Sequence, residues 1–138
     1  MPLIAEIAVS GTTYSFDKLF SYRLPEHMRA ERGCRALVPF GRGNSRRIGI
    51  IVHLNEGSGE KLKPVAAVVD AIPVISEELL QLGEYLHDHT FCTYYDGLRI
   101  MLPPAMSVRA KERFQLAKDF SRPEQLTPKA AELLESLS

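Results

Sequence analysis

Apolar and polar residues alternate in short runs through the first half of the chain, then give way to a helical spacing. Ile4 to Val9 is short, apolar and rich in residues that favour strands. Leu19 to Leu24 repeats the pattern, with Phe20 and Tyr22 on one face and Ser21 and Arg23 on the other, and such period-two alternation predicts strands. The SGTTYSFDK stretch between them is polar and too long for a two-residue hairpin, so it reads as a loop. Gly33 opens a third strand, CRALVPF, which ends at Pro39-Phe40-Gly41; a proline has no N–H to give a ladder and suits a strand end or edge. GRGNSRR is then a basic turn, and RIGIIVHL a fourth strand apolar enough to be buried on both faces for part of its length. NEGSGEK is a flexible tip, and LKPVAAVVD a fifth strand with Pro64 near its start. Strands this short and this close together predict a small curled antiparallel sheet or barrel of five to six strands, which closes on itself to remove its edges.

After Pro73 the period changes. Ser76 is a good N-cap, Glu77 and Glu78 sit where the helix macrodipole favours acids, and Leu79, Leu82 and Leu86 recur at helical spacing, predicting a helix from Ser76 to His89. A second, shorter helix around Asp96 to Met101 is stopped by Pro103-Pro104. The fold class is therefore α+β, a curled sheet followed by two helices, in a domain spanning residues 1–106. Residues 107–138 read as a linker, one strand from Arg113 to Ala117, and a helix capped by Thr127-Pro128 with Ala130, Leu134 and Leu137 on one face. Nothing in the sequence covers that apolar face, which is expected of a partner surface or of the opening of a second domain left unfinished.

Composition narrows the function less than the pattern narrows the fold. With 45% hydrophobic and 25% charged residues the chain is expected to fold as a globular domain. Its 17 basic residues balance 17 acidic ones, so any nucleic-acid site has to come from local clustering. The start lacks a basic leader region and no run approaches the roughly 20 apolar residues that span a bilayer, so the expected location is cytoplasmic with no membrane partner. Cys34 and Cys92 fit neither a CxxC pair nor a metal spacing and are expected to be buried free thiols. No phosphate loop, zinc spacing or nucleophile elbow occurs, so no catalytic residue, no metal site and no cofactor is expected in these residues.

The region richest in chemistry is the pair of segments around Phe20-Ser21-Tyr22 and Pro39-Phe40-Gly41-Arg42. Aromatics beside glycines and small polar groups suit single-stranded nucleic acid, whose bases stack on rings while Lys or Arg follow the phosphates. Phe20, Tyr22 and Phe40 fit equally well as the inward faces of their strands. Arg42, Arg46 and Arg47 form one basic cluster and Lys61 and Lys63 another, either two sides of one phosphate track or solvated turn charge.

A more specific signal lies in an ordered series: Tyr22-Arg23-Leu24-Pro25-Glu26, Gly33-Cys34-Arg35, Val38-Pro39-Phe40-Gly41, Ile48 to Val52, Leu62-Lys63-Pro64-Val65, Val69-Asp70 and Leu102-Pro103-Pro104. In order and spacing these resemble the N-terminal 3′ DNA-binding domain of the PriA-type primosomal helicases, from about Ile4 to Met106, with the remainder resembling the start of that family's winged-helix domain. The resemblance implies a non-catalytic part of an ATP-dependent 3′–5′ DNA helicase of replication restart, which binds the 3′ end of the nascent leading strand at stalled forks. ATP and zinc would belong to the parent's C-terminal part. Implied partners are DNA, single-stranded DNA-binding protein and other primosome proteins. Carried over by motif, the terminal-nucleotide pocket falls on Phe20, Ser21, Gly41 and Lys63, with Arg42 beside it. Ser21 departs from the family's usual acid at that position, and Asp17 is the loop residue able to replace it. The competing reading is a module that docks primosome partners or the helicase core, with DNA binding incidental.

Overall fold

The computed structural model describes residues 2–106, 115–119, 121, 125 and 127–137. Five strands follow the alternation in the sequence: β1 (Leu3–Val9), β2 (Phe20–Leu24), β3 (Arg35–Phe40), β4 (Ser45–Glu56) and β5 (Ala67–Val68). They form one antiparallel sheet in the order β2-β1-β4-β3-β5. A single 3-10 turn, Tyr14–Phe16, lies in the loop between β1 and β2.

The sheet closes through the segment before β5. Ala67 and Val68 pair with β3, but just upstream the Arg23 amide donates to the Lys63 carbonyl at 3.0 Å and the Val65 amide to the Arg23 carbonyl at 2.9 Å. Pro64 thereby makes a parallel bridge to Arg23 on β2. Five strands alternating in direction leave the two outer ones running the same way, so a ring of five needs one parallel joint. The 63–68 segment spans that joint by crossing from the edge of β2 to the edge of β3, and this shortens β5 to two residues where the sequence predicted a full strand. Proline is tolerated there because the bridge uses the Lys63 carbonyl and the Val65 amide on either side of it.

The ring encloses one core and supports a second. Ala5, Ile7, Val9, Tyr22, Leu24, Ala36, Val38, Ile51 and Val65 fill the interior. Ala8, Ile50 and Val52 point outward from β1 and β4 and pack with Ile75, Leu80 and Leu98. That explains the long apolar run of β4, which is buried on both faces from Ile48 to Val52. A β-bulge shifts the β1–β4 register between Glu6 and Ile7, opposing Glu6 to His53 and Ile7 to Ile51. Two residues then stand against one, which lets both Ile51 and Leu54 face the inner core.

The helical layer lies over the outer core. Helix α1 (Glu77–His89) is capped by the Ser76 hydroxyl, which accepts the Leu79 amide at 3.4 Å. Its buried residues are Leu80 and Gly83; Leu82, expected on the inner face, is 44% exposed. The spacing was helical but the stripe lay about one residue out of phase, because Gly83 rather than a leucine meets Leu98. Helix α2 (Tyr94–Arg99) begins earlier than predicted, because the Thr93 hydroxyl caps it by accepting the Asp96 amide at 3.1 Å, and it ends before Pro103 is reached. Cys34 is buried as expected, whereas Cys92 is only half-buried; both are free. Helix α3 (Pro128–Leu137) has the expected cap, the Ala130 amide donating to the Thr127 hydroxyl at 3.2 Å. Of the strand expected from Arg113 to Ala117, residues 113–114 lie outside the described residues and 115–117 carry no strand.

Two fixtures hold the ring. Gly33, at φ +92°, donates to the Ile51 carbonyl at 2.7 Å and accepts from the amides of Val74 and Ile75, tying the start of β3 to β4 and to the approach to α1. Arg35 and Asp70 then form a nearly buried pair: Nε to Oδ2 at 2.9 Å, Nη2 to Oδ1 at 2.7 Å, with the Arg35 amide also donating to Oδ2 at 2.9 Å. The remaining guanidinium nitrogen donates to the Met106 carbonyl, pinning the end of the domain to the same point.

Candidate nucleic-acid interface

The ring is stitched incompletely. Below the Arg23–Pro64 bridge the edges of β2 and β3 approach without pairing, and side chains span the gap. The Tyr22 hydroxyl donates to the Pro39 carbonyl at 2.9 Å, and Lys63 Nζ donates to the Gly41 carbonyl at 2.8 Å. The gap is a cleft of about 370 Å³ lined by Phe20, Ser21, Tyr22, Pro39, Phe40, Gly41, Lys61, Leu62 and Lys63. That volume is at the small end of ligand sites.

Strand geometry decides what each residue offers. On β2 the backbone groups of Arg23 face the bridging segment, so those of Ser21, two residues back on a ladder without a bulge, face the same edge. Ser21 therefore presents an amide donor and a carbonyl acceptor to the cleft. Pro39 belongs there for the complementary reason: its nitrogen lies on the edge with no ladder partner, so the missing N–H costs nothing. Gly41 turns the chain at φ +74°, and nothing lies within 4 Å of where a Cβ would stand, so the position is open to a close-approaching ligand.

Phe20 and Phe40 serve both roles that the sequence left open. Their rings meet edge to face with centroids 5.0 Å apart, and both pack against the inner core while lining the cleft. Lys18 Nζ stands 5.4 Å from the Phe20 centroid. Tyr22, open between the same two roles in the sequence, lies in the inner core with only its hydroxyl reaching across the seam; burial pushes that hydroxyl's pKa up, against a smaller opposing effect of Arg47, and keeps it a donor at neutral pH. A buried tyrosine needs a partner for its hydroxyl, and that requirement was the available signal.

The other charged candidates go elsewhere. Arg46 and Arg47 are residues of β4 rather than of a turn, and alternation sends them to opposite faces. Arg47 lies over the Phe40 ring at 4.4 Å and donates to the carbonyls of Ser10 and Gly11, both at 3.3 Å, so it plugs the end of the ring. Arg42 is exposed in the β3–β4 turn beside Gly41, outside the cleft lining. Asp17 does not reach the cleft: its carboxylate, 3% exposed, accepts the Tyr94 amide at 3.0 Å and pairs with His87 Nε2 at 2.7 Å. It ties the β1–β2 loop to α1 and α2, so the replacement of the missing acid by Asp17 is corrected by the geometry. Lys61 lines the cleft with Lys63, and the set contains a cation pair, aromatic walls and backbone groups of both polarities. Such a set has the groups to accommodate an anionic, ring-bearing ligand.

Comparison with known proteins bears on the domain as a whole. A family model described as 3′DNA-binding domain (3′BD) matches residues 6–103. The chain is 32% identical over 128 residues to the replication restart protein PriA of Bacillus subtilis (strain 168). That alignment covers 88% of this chain but only 16% of the relative.

Proposed function

The chain belongs to the family of PriA 3′ DNA-binding domains, and from that premise we propose that its seam cleft receives the 3′-terminal nucleotide of a nascent leading strand at a stalled fork. The observation that supports this is the convergence of Phe20, Ser21, Gly41 and Lys63, far apart in sequence, on one opening between β2 and β3. The terminal base packs on Phe20 and the cation of Lys63, with Lys61 beside it, attracts the phosphate on the strand side. The Ser21 and Gly41 backbones meet the end of the sugar. The Arg23–Pro64 bridge closes the seam at one end, and in this reading a strand continuing past its 3′ end runs against it. End selectivity without base readout follows, because none of these contacts reads a base edge.

In this reading the chain is the DNA-end sensor of a longer restart protein, an ATP-dependent 3′–5′ helicase whose ATP and zinc sites lie in other parts. Residues 1–106 form the sensor, and residues 107–138 lead into a winged-helix domain. The cell compartment is the cytoplasm. A second reading, docking of primosome proteins such as single-stranded DNA-binding protein or of the helicase core, has one observation in its favour: Phe16, Phe91 and Ile100 are 75%, 94% and 74% exposed, with Tyr14 and Phe91 in ring contact at 5.9 Å.

The test is competition against a 5′-labelled single strand in fluorescence anisotropy, using linear and covalently closed circular competitors of one sequence. The linear strand should win clearly. Lys63→Ala should weaken binding and lower the slope of log affinity against log salt by about 1, while Phe20→Ala should cost about 1–3 kcal/mol of stacking. Circles that compete as well as linear strands would refute end binding. Salt-independent affinity for a protein partner, with none for DNA, would favour the docking reading.

A further inference from the structure

The seam that forms the cleft is closed at one end and open at the other. Arg23 and Pro64 bridge it near the end of β2. At the opposite end Phe20 and Phe40, the first residue of β2 and the last of β3, meet with ring centroids 5.0 Å apart, and Lys63 Nζ reaches the Gly41 carbonyl beside them. Two cations outside the cleft lining flank this mouth. Lys18 precedes β2, its Nζ 5.4 Å from the Phe20 centroid. Arg42 follows Gly41 on the tip of the β3–β4 hairpin, between two glycines at which nothing lies within 4 Å of where a Cβ would stand. A strand's backbone can therefore approach the tip closely. Both cations are exposed, and neither forms an ion pair among the described residues. No acid occurs in residues 18–23 or 39–48. Asp17, next to Lys18, is 3% exposed and paired with His87. A chain with 17 basic and 17 acidic residues thus carries one sign of charge at this mouth. Lys18 is held from its other side, where Leu19 packs on the outer core and Phe20 on the inner one, so its place does not depend on the tie made by Asp17.

We propose that Lys18 and Arg42 form a phosphate clamp at the mouth, holding the second linkage from the 3′ end of a bound strand, one nucleotide upstream of the linkage that Lys63 attracts. Resting on the end-binding reading above, this gives the strand a direction: its terminus lies toward the Arg23–Pro64 bridge, and its upstream nucleotides leave between the β1–β2 loop and the hairpin tip. A phosphate arriving there meets two cations that have no ion pair to give up, so the attraction is gained without breaking a contact inside the protein. The hold of Lys18 on the Phe20 ring is the weak kind made at exposed sites, and it yields readily to a base stacking on that ring.

The experiment uses the 138-residue chain and unlabelled single strands of one sequence, each with one neutral methylphosphonate linkage and each displacing the same 5′-labelled strand. The neutral linkage is placed last, second from the 3′ end, or in the middle. Neutralising either of the two 3′ linkages should weaken binding, and neutralising the middle one should not. For the second linkage the cost should be roughly two- to fivefold, the range of an exposed charge pair. That cost should vanish in the variant carrying Lys18→Ala and Arg42→Ala, while the cost of the last linkage remains there and is lost instead with Lys63→Ala. The same double variant should flatten the dependence of log affinity on log salt by roughly 0.7, the share of one single-strand phosphate. Arg29→Ala, which removes an exposed charge from the connection between the far end of β2 and the start of β3, should leave the second-linkage cost as it was. A second-linkage cost that is absent from the unmodified chain, or that persists undiminished in the double variant, would overturn the clamp and leave end binding standing. A middle linkage as costly as the two at the 3′ end would instead overturn the end-binding reading, and the clamp with it.

Discussion

Replacing Asp70 by alanine removes the carboxylate from a pair whose side chains are only 8% and 10% exposed, Arg35 and Asp70 respectively. Three hydrogen bonds are lost at once: two from the guanidinium and one from the Arg35 amide. The guanidinium is left nearly buried with the Met106 carbonyl as its remaining partner. Breaking one side of a buried pair costs about 3–5 kcal/mol, a large share of the roughly 5–15 kcal/mol that stabilises an ordinary domain. The companion variant, Arg35→Met with Asp70→Leu, removes both charges and leaves without partners the backbone amide of residue 35 and the Met106 carbonyl, neutral groups whose loss costs about 1–3 kcal/mol. Urea unfolding followed by circular dichroism at neutral pH should therefore rank the double variant above Asp70→Ala by about 2 kcal/mol. Hydrogen bonding by Arg35 also holds the Asp70 carboxyl below its ordinary value of 3.8, against the opposing effect of burial. A depressed folded-state pKa contributes stability that is fully present above the unfolded value and lost as pH falls through the folded one. The gap between the unmodified chain and Asp70→Asn should thus persist at neutral pH and narrow only as pH drops below 3.8. The same pair holds residues 66–70 to β3, just downstream of Lys61 and Lys63, so Asp70→Ala should also weaken strand binding without touching a cleft residue. An Asp70→Ala cost under about 1 kcal/mol, the worth of an exposed pair, would refute the reasoning, as would a double variant no more stable than the single one.

Two further outcomes follow from the placement of single residues. Asp17→Ala should cost about 1–3 kcal/mol of stability by orphaning the Tyr94 amide and freeing His87, yet leave strand affinity unchanged in anisotropy; a loss of affinity equal to that of Lys63→Ala in the folded variant would show that Asp17 reaches the strand after all. Gly33→Ala would place a Cβ 2.1 Å from the Ile75 carbonyl oxygen at φ +92°; strain of about 1–3 kcal/mol for the backbone alone should appear as a lowered urea midpoint, and an unchanged midpoint would contradict the tie between β3 and the approach to α1.

The sequence by itself determined the strands, the helices and the caps of Ser76 and Thr127, because these depend on alternation, helical period and side chains a few residues away. Its ordered motifs carried the resemblance to a family, and that resemblance, rather than composition or spacing, pointed to Phe20, Ser21, Gly41 and Lys63, which the fold brings to one cleft. Tertiary structure decided what alternation is unable to encode. The β4 bulge put Ile51 and Leu54 on one face, and the five-strand closure left β5 only two paired residues. Leu82 lost its place in the core to Gly83, because Leu98 arrives there from another element. Charge was the least legible quantity: Arg42, Arg46, Arg47, Lys61 and Lys63 look alike along the chain, as Asp17 looks like a cleft acid. Only the partner each one meets assigns it, Phe40 for Arg47, Gly41 for Lys63, Tyr94 and His87 for Asp17, and those partners are brought together by ring closure rather than by neighbourhood in sequence.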